Sequence, residues 1–212
     1  MTRGWFITIE GGEGAGKSTQ IRRLAPRLAD LGHDVVLTRE PGGSPGAEAI
    51  RALLVTGETD RWSPISEALL MSAARRDHIE RLIAPALARG AVVLCDRFFD
   101  STRAYQGAGG GVSPALIEAL EREVVGEVRP DLTLIFDLPV AVGLARAAAR
   151  GEGEARFEAK GAAFHQRLRE GFVAIAAAEP ERCRMIDADA SEDMVADAVW
   201  SAVSARLAQG RT

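Results

Sequence analysis

The sequence predicts an α/β fold, a three-layer sandwich in which helices cover both faces of a five-stranded parallel sheet. Three observations carry this expectation. Strand-like and helix-like runs alternate five times along the 212 residues. The strand-like runs are continuously apolar, as in strands buried on both faces. Consecutive runs are separated by helical segments long enough for the crossovers that parallel neighbours need. At about 150 residues per domain the chain makes a single unit, 1–212, and a composition of 47% hydrophobic and 26% charged residues excludes disorder.

The first strand is Trp5-Phe6-Ile7-Thr8-Ile9. After Lys17 a helix sets Ile21, Leu24, Ala25, Leu28 and Leu31 on one face, and Gly32 ends it. Val35-Val36-Leu37 is the second strand. A Pro/Gly loop at 41–46 leads to a helix through Ile50, Leu53 and Leu54. Ser63-Pro64, an N-cap and first-turn pair, then opens a long helix toward Ala88 that Gly90 closes. Ala91-Val92-Val93-Leu94-Cys95 is the third strand, and Ser113-Pro114 opens the next helix. Leu132-Thr133-Leu134-Ile135-Phe136 is the fourth strand, stopped by Pro139 and followed by a helix to Arg150. The polar run Gly151-Glu152-Gly153-Glu154-Ala155 reads as a mobile turn before a helix carrying Phe164, Leu168, Phe172 and Ile175. Arg184-Met185-Ile186 is the fifth strand, and Ser191 caps a last helix through Val195, Val199, Val203 and Leu207.

Charge narrows the function. Lys plus Arg number 26 against 30 Asp plus Glu, a net charge of -4, which argues against a nucleic-acid or membrane coat. Any anionic ligand must be held by local positive charge. No apolar run approaches the about 18 residues of a membrane span, no signal-peptide pattern follows Met1, and Cys95 and Cys183 are too few for a disulfide scaffold, so a cytoplasmic protein is expected. His33, His78 and His165 fall at no metal-ligand spacing and read as structural, with His78 on the polar face of the long helix.

Parallel sheets bind ligands at the carboxyl ends of their strands, so the residues after Ile9, Leu37, Cys95 and Phe136 are the ones that matter. After Ile9 comes Gly11-Gly12-Glu13-Gly14-Ala15-Gly16-Lys17-Ser18, continued by Thr19, which matches G-x-x-x-x-G-K-[ST] between a strand and a helix. Glycines let backbone N–H groups converge on phosphate oxygens and the helix N-terminus adds positive charge. Lys17 spans the β- and γ-phosphates, and the Ser18 hydroxyl suits Mg²⁺. A nucleoside triphosphate and Mg²⁺ are implied. Guanine-reading GTPases need an Asn-Lys-x-Asp element and this chain has no Asn; partitioning ATPases carry a lysine early in the loop, where none precedes Lys17. After Cys95, the run from Asp96 to Gly107 offers acids, bases and hydroxyls that suit the wall of a second-substrate pocket. Asp96, beside the loop's strand, is placed to orient a Mg²⁺-bound water. Asp137 is either a phosphate-site residue or a simple strand-end acid.

Further motifs stand in order along the chain: Thr-Arg-Glu-Pro-Gly-Gly at 38–43, Ala-Ala-Arg at 73–75, Asp-Arg-Phe at 96–98, Ser-Thr-x-Ala-Tyr-Gln-Gly at 101–107 and Arg-Pro-Asp-Leu-Thr at 129–133. With the phosphate loop they resemble the bacterial thymidylate kinases from residue 5 to about 187. The resemblance implies a P-loop kinase sandwich with a short mobile lid, residues 146–157, ATP as donor, dTMP as acceptor, and a homodimer built on long helices including 64–88. It also implies roles. Arg39, Arg75 and Arg97 would surround the phosphate and base of dTMP, and Glu13 would lie near the acceptor's sugar and the metal. Tyr105 would crowd the sugar 2′ carbon, with Ser101 and Gln106 in the same pocket.

The catalytic set by this resemblance is Lys17, Arg97, Glu13 and a lid arginine, because Ala15 stands where some relatives carry an arginine in the loop. Arg146, Arg150 and Arg156 are the candidates, Arg150 first because Arg150-Gly151-Glu152 fits the family pattern. Two departures stand out: Met71 replaces the aromatic residue that covers the base in many relatives, where Phe98 or Phe99 would compensate, and Ala148 replaces an additional lid arginine. Two other readings stay open, a kinase of another deoxynucleoside monophosphate and a regulatory ATP-binding module that would lack a second anion site.

Overall fold

The computed structural model describes residues 3–150, 155–158 and 160–210. Strands β1 (Phe6–Gly11), β2 (Val35–Arg39), β3 (Val92–Asp96), β4 (Leu132–Asp137) and β5 (Cys183–Asp187) form one sheet in the order β2-β3-β1-β4-β5, parallel throughout. The expected five-stranded α/β sandwich is present. Four of the strands run past their apolar cores into a polar residue: Arg39 pairs with Asp96, and Asp137 with Asp187, as the last rungs of their ladders. Charged side chains are thereby fixed along one rim of the sheet, where parallel sheets bind ligands.

Period-two alternation assigns the strand side chains to two cores. Ile7, Ile9, Leu94 and Leu134 pack under α1 (Lys17–Asp30) and α10 (Glu192–Ala208), against Leu24, Leu28, Val195 and Val199. On the opposite face Phe6, Val93 and Cys95 meet Ile79, Ile83, Leu87, Phe98 and Phe99. Beside them Ile135 and Cys183 lie under α9 (Ala162–Ala178) through Phe164, Leu168 and Phe172. This second face also buries polar groups of β1. The hydroxyls of Thr8 and Thr133 hydrogen-bond at 2.7 Å, and Glu10 follows one step further along.

The long helix is present from 64 to 88 but changes pitch. It comprises α3 (Pro64–His78), a π-helical turn over Ile79–Ile83, and α4 (Ala84–Ala88). Pro85 has no N–H and its ring collides with the carbonyl four residues back, so the wider turn directly before it relieves the clash. His78 is not on a polar face: it is fully buried, with Nε2 2.7 Å from Thr38 Oγ1 and Nδ1 3.0 Å from Glu40 Oε1. The loop between β2 and α2 (Pro45–Val55) covers that side of α3, which helix periodicity alone does not reveal.

After β3 the chain forms α5 (Phe99–Thr102) and a second π-helical turn over Arg103–Gly109, so the expected polar wall is a helical one. The remaining helices are α6 (Pro114–Val125), α7 (Val140–Arg150) and α8 (Ala155–Glu158). Helix α7 lies directly on the glycine-rich loop. A Cβ on Gly143 would come within 2.5 Å of Glu13 O, and one on Gly14 would collide with Gly143 O, so two backbones meet where any side chain would part them.

Candidate active site

The chain leaves β1 at Gly11, turns through Gly12, Glu13, Gly14 and Ala15, and enters α1 at Gly16, whose φ of 84° is the left-handed value that glycine adopts freely. Lys17 is folded back across the loop with Nζ 3.2 Å from Gly11 O and 2.9 Å from Gly12 O. It is 8% exposed, and burial followed by the nearby Arg97 cation pushes its pKa below the usual lysine value. Ser18 Oγ donates to Asp96 Oδ2 at 2.8 Å, which joins the loop to the end of β3. This hydroxyl and carboxylate are hard oxygen donors. Among the described residues no cluster of three or more His, Cys, Asp or Glu exists, so the donor set fits a Mg²⁺ that keeps waters and phosphate oxygens in its shell.

Arg97 has φ of 68°, a left-handed backbone unusual for a side chain with Cβ. Its Nη1 donates to Gly11 O at 2.9 Å and lies 3.4 Å from Ser101 Oγ, and its Nη2 donates to Glu13 Oε1 at 3.1 Å. The same Glu13 oxygen accepts the Tyr105 hydroxyl at 2.5 Å, and the Arg97 guanidinium stands 4.9 Å over the Tyr105 ring. Burial works to raise the Glu13 carboxyl, but Arg97, Lys17 and the Tyr105 hydroxyl outweigh it and hold its pKa at about 2. Glu13 is therefore a fixed anion between two cations.

Next to this cluster lies a pocket that opens to solvent. Met71, Arg75, Arg97, Ser101, Tyr105 and Gln106 all line it, so six of the seven expected acceptor residues are brought together. Arg39 is not. Glu40 turns inward to accept from Arg75 Nε at 2.7 Å, so its neighbour turns outward, half-exposed and 3.1 Å from Glu48. Arg75 also donates to Phe98 O at 3.1 Å, and Gln106 Nε2 donates to Glu67 Oε2 at 3.1 Å. Phe98 lines the cavity while packing edge-on against Phe6 and Phe99, whereas Phe99 stays in the core.

Sequence reasoning missed four residues of the lining: Glu40, Pro41, Thr102 and Phe157. Thr102 Oγ1 is buried without a partner, and its place three and four residues before Tyr105 and Gln106 was the available signal. Phe157 left none, because it arrives only when α8 folds back to stack edge-on against Tyr105, with ring centroids 5.7 Å apart.

On the other side of the loop Gly14, Ala15, Gly16 and Thr19 face Arg146, Ala149, Ala188 and Ala190 across an open cleft of roughly 970 Å³. Arg146 Nη1 donates to Ala188 O at 3.0 Å at its edge. The Arg150 side chain and residues 151–154 lie outside the described residues. Arg156 faces elsewhere, into a buried ion pair with Glu67 at 2.5 Å, and donates also to Leu54 O and Glu58 O at 3.2 and 2.9 Å. It fastens α8 onto α2 and α3. Arg156→Ala is expected to cost about 3 kcal/mol, because it strands the Glu67 carboxylate in the interior with Lys160 as the remaining cation nearby. Thermal melting should show Tm falling by about 6–12 °C; an unchanged Tm would contradict this role. Asp137 ends β4, where Arg169 grips it through both oxygens at 2.6 and 2.8 Å, and that bond lowers its pKa. Among the described residues no helix is long and apolar enough to cross a membrane.

The description of thymidylate kinases as a family matches residues 9–199. A thymidylate kinase of Caulobacter vibrioides is 69% identical over 207 residues, 98% of this chain and 99% of its own. One of Rhodopseudomonas palustris is 58% identical over 208 residues, 97% of this chain and 90% of its own. The crystal structure of thymidylate kinase from Ehrlichia chaffeensis superposes with a TM-score of 0.77 at 36% identity, covering 95% of this chain and 99% of that one. Likeness of this extent runs through the phosphate loop, the Arg97 turn and the cavity beside them alike, and the chain belongs to the thymidylate kinase family.

Proposed function

We propose that the protein transfers the γ-phosphoryl group of ATP to dTMP, giving dTDP and ADP. One observation carries the reading most directly: Lys17 of the donor loop and Arg97 of the acceptor cavity donate to the same atom, Gly11 O. Two cations this close repel each other; Glu13 lies between them, and Asp96 and Glu10 also act on Lys17. The two cations are suited to two anions meeting end to end, which a regulatory module with a single nucleotide does not require.

The transfer needs no strong general base, because a phosphate monoester with a second pKa of about 6 is already largely a dianion at neutral pH. Lys17 binds the donor phosphates while loop N–H groups from Gly12 to Thr19 orient them. Ser18 and Asp96 would hold Mg²⁺, which when bound would screen the charge of the donor phosphates. Arg97 takes the acceptor phosphate on its fork, and Glu13 keeps that fork and the Tyr105 hydroxyl in place. Arg75, Gln106 and Thr102 present hydrogen-bonding groups to the base edge, and Met71 and Phe98 cover its faces. Tyr105, held by Glu13 and Phe157, crowds the 2′ carbon and favours deoxyribose. Arg39 joins the acceptor phosphate by exchanging Glu48 for it.

Residues 146–157 act as the lid, with Arg150 as the cation that meets the transferring group, since Ala15 supplies none. Arg150→Ala should lower kcat by about 10³ with the dTMP dissociation constant changed less than a few-fold. Steady-state kinetics beside equilibrium binding check this, and an unchanged kcat would move the role to Arg146. The protein acts in the cytoplasm as a homodimer through α3, where Ile65 and Leu69 remain half-exposed. The deciding experiment is ADP release with Mg-ATP against dTMP, dUMP, UMP, dCMP and dGMP. Strong preference for dTMP is expected. Preference for another monophosphate would reassign the base and point to Met71, and no acceptor-dependent turnover would overturn the reading.

A further inference from the structure

Glu10 has no part in the transfer as described, yet it stands at the joint of the two phosphate sites. It is fully buried in β1, one residue before the carbonyl that Lys17 and Arg97 share. Its Oε1 accepts from the backbone N–H groups of Phe98 at 2.7 Å and Ser101 at 3.2 Å, while Oε2 meets the Ser101 hydroxyl at 2.6 Å. Phe98 directly follows the left-handed Arg97, so the first of these bonds anchors the chain where its backbone is least comfortable.

The Ser101 hydroxyl lines the acceptor cavity and lies 3.4 Å from Arg97 Nη1. An O···O separation of 2.6 Å admits a proton on either oxygen. With Glu10 ionised, Ser101 must donate its single hydrogen to Oε2. With a proton on Oε2 the carboxyl donates to Oγ instead, and the hydrogen of Ser101 is free to turn into the cavity, where a phosphate dianion needs donors.

We propose that Glu10 is a positioning residue whose proton sets the direction of the Ser101 hydroxyl, and that binding of the acceptor monophosphate draws a proton from solvent onto Glu10 Oε2. The proposal rests on reading the cavity as the dTMP site. The groups facing Glu10 support it. Burial, then the Asp100 carboxylate of α5, raise its pKa to about 8 against the Ser101 hydrogen bond and the Arg97 cation. Lys17 of α1 also faces it, and the Cys95 thiol of β3 is kept neutral by burial. Arg182 and Arg103 act through Asp100, which they clamp at 2.6 and 3.2 Å. A dianion arriving nearby favours the protonated carboxyl further. Because the pKa is raised on binding, affinity is complete below the free-state value and falls as pH rises through it.

Calorimetric titration of the full-length protein with dTMP tests this between about pH 7 and about pH 9, where one unit of linked pKa shift is a tenfold change in affinity. The wild-type dissociation constant should rise about tenfold across that range, against less than about twofold for Glu10→Gln, which cannot take up the proton. Ser101→Ala, which keeps the carboxyl and removes its partner, should also flatten the profile. Titrations near pH 8 in two buffers of different ionisation enthalpy should show proton uptake by the wild type that Glu10→Gln lacks. Ionisation of the ligand is common to these proteins and leaves the comparison intact. Equal pH profiles in wild type and Glu10→Gln, or a folded Glu10→Gln that does not bind dTMP, would overturn the proposal. Failure of the wild type to bind dTMP would instead overturn the reading of the cavity.

Discussion

Lys17→Met is expected to reduce kcat by about 10³ or more while leaving the KM for dTMP within a few-fold. Methionine keeps most of the aliphatic stem in a site that is 8% exposed, so the loop should survive the change. What disappears is the ammonium, held over the loop by Gly11 O and Gly12 O at the point where charge gathers on the transferring group. The acceptor side keeps Arg97, Glu13 and Tyr105, with Arg97 still on Gly11 O at 2.9 Å. Steady-state and single-turnover kinetics measure both parameters. A fall in kcat below about tenfold would mean that another cation stabilises the transfer.

Arg97→Ala should strike the other parameter, lowering kcat/KM for dTMP by about 10²–10⁴ with ATP affinity nearly unchanged. Two charge-assisted hydrogen bonds to a phosphate are worth about 1.5–3 kcal/mol each. The loss also reaches Glu13, whose depressed carboxyl depends most on Arg97 to offset its burial. The sign follows from that depression. Ionised Glu13 supports the fold above the ordinary carboxylate pKa of about 4.3, and this support fades as pH falls toward about 2. Without Arg97 it fades at higher pH, so acid unfolding of the variant should begin earlier. Arg97→Gly separates function from folding. A residue with Cβ at φ of 68° carries about 1–2 kcal/mol of backbone strain, so the glycine variant should be more stable than the alanine one and equally inactive. Unchanged turnover with dTMP in both would remove Arg97 from the acceptor site.

The strands, the phosphate loop and the helix caps were legible in the sequence because each is local: an apolar run, a glycine spacing, a serine before proline. Ser63, Ser113 and Ser191 cap their helices as the sequence suggests, accepting from Ser66, Leu116 and Met194. Residues that meet across the fold were harder. Met71, Arg75 and Gln106 reached the acceptor pocket through a family resemblance rather than through periodicity, and their side chains do line one cavity. Arg39 and Glu40 show the limit of that route. The apolar residues of β2 are consecutive, so nothing in them tells which of two adjacent charged residues turns inward. Arg156 and Phe157 take their places from the fold-back of α8 onto α2 and α3, which no sequence spacing encodes. Neither π-helical turn was anticipated: one has a local cause in Pro85, whereas the other, at Arg103–Gly109, has no comparable signal.

The meeting of Gly14 with Gly143 gives α7 the mechanics of a lever. Its fulcrum is the backbone of the phosphate loop, and its far end, Arg150, lies seven residues beyond Gly143. At about 1.5 Å of rise per residue that arm is about 10 Å long, so a tilt of about 6° at the fulcrum carries the tip about 1 Å. Any shift of the loop against α7 would thus be carried along the helix to the root of the segment after it, and neither glycine can take a side chain without disturbing that contact.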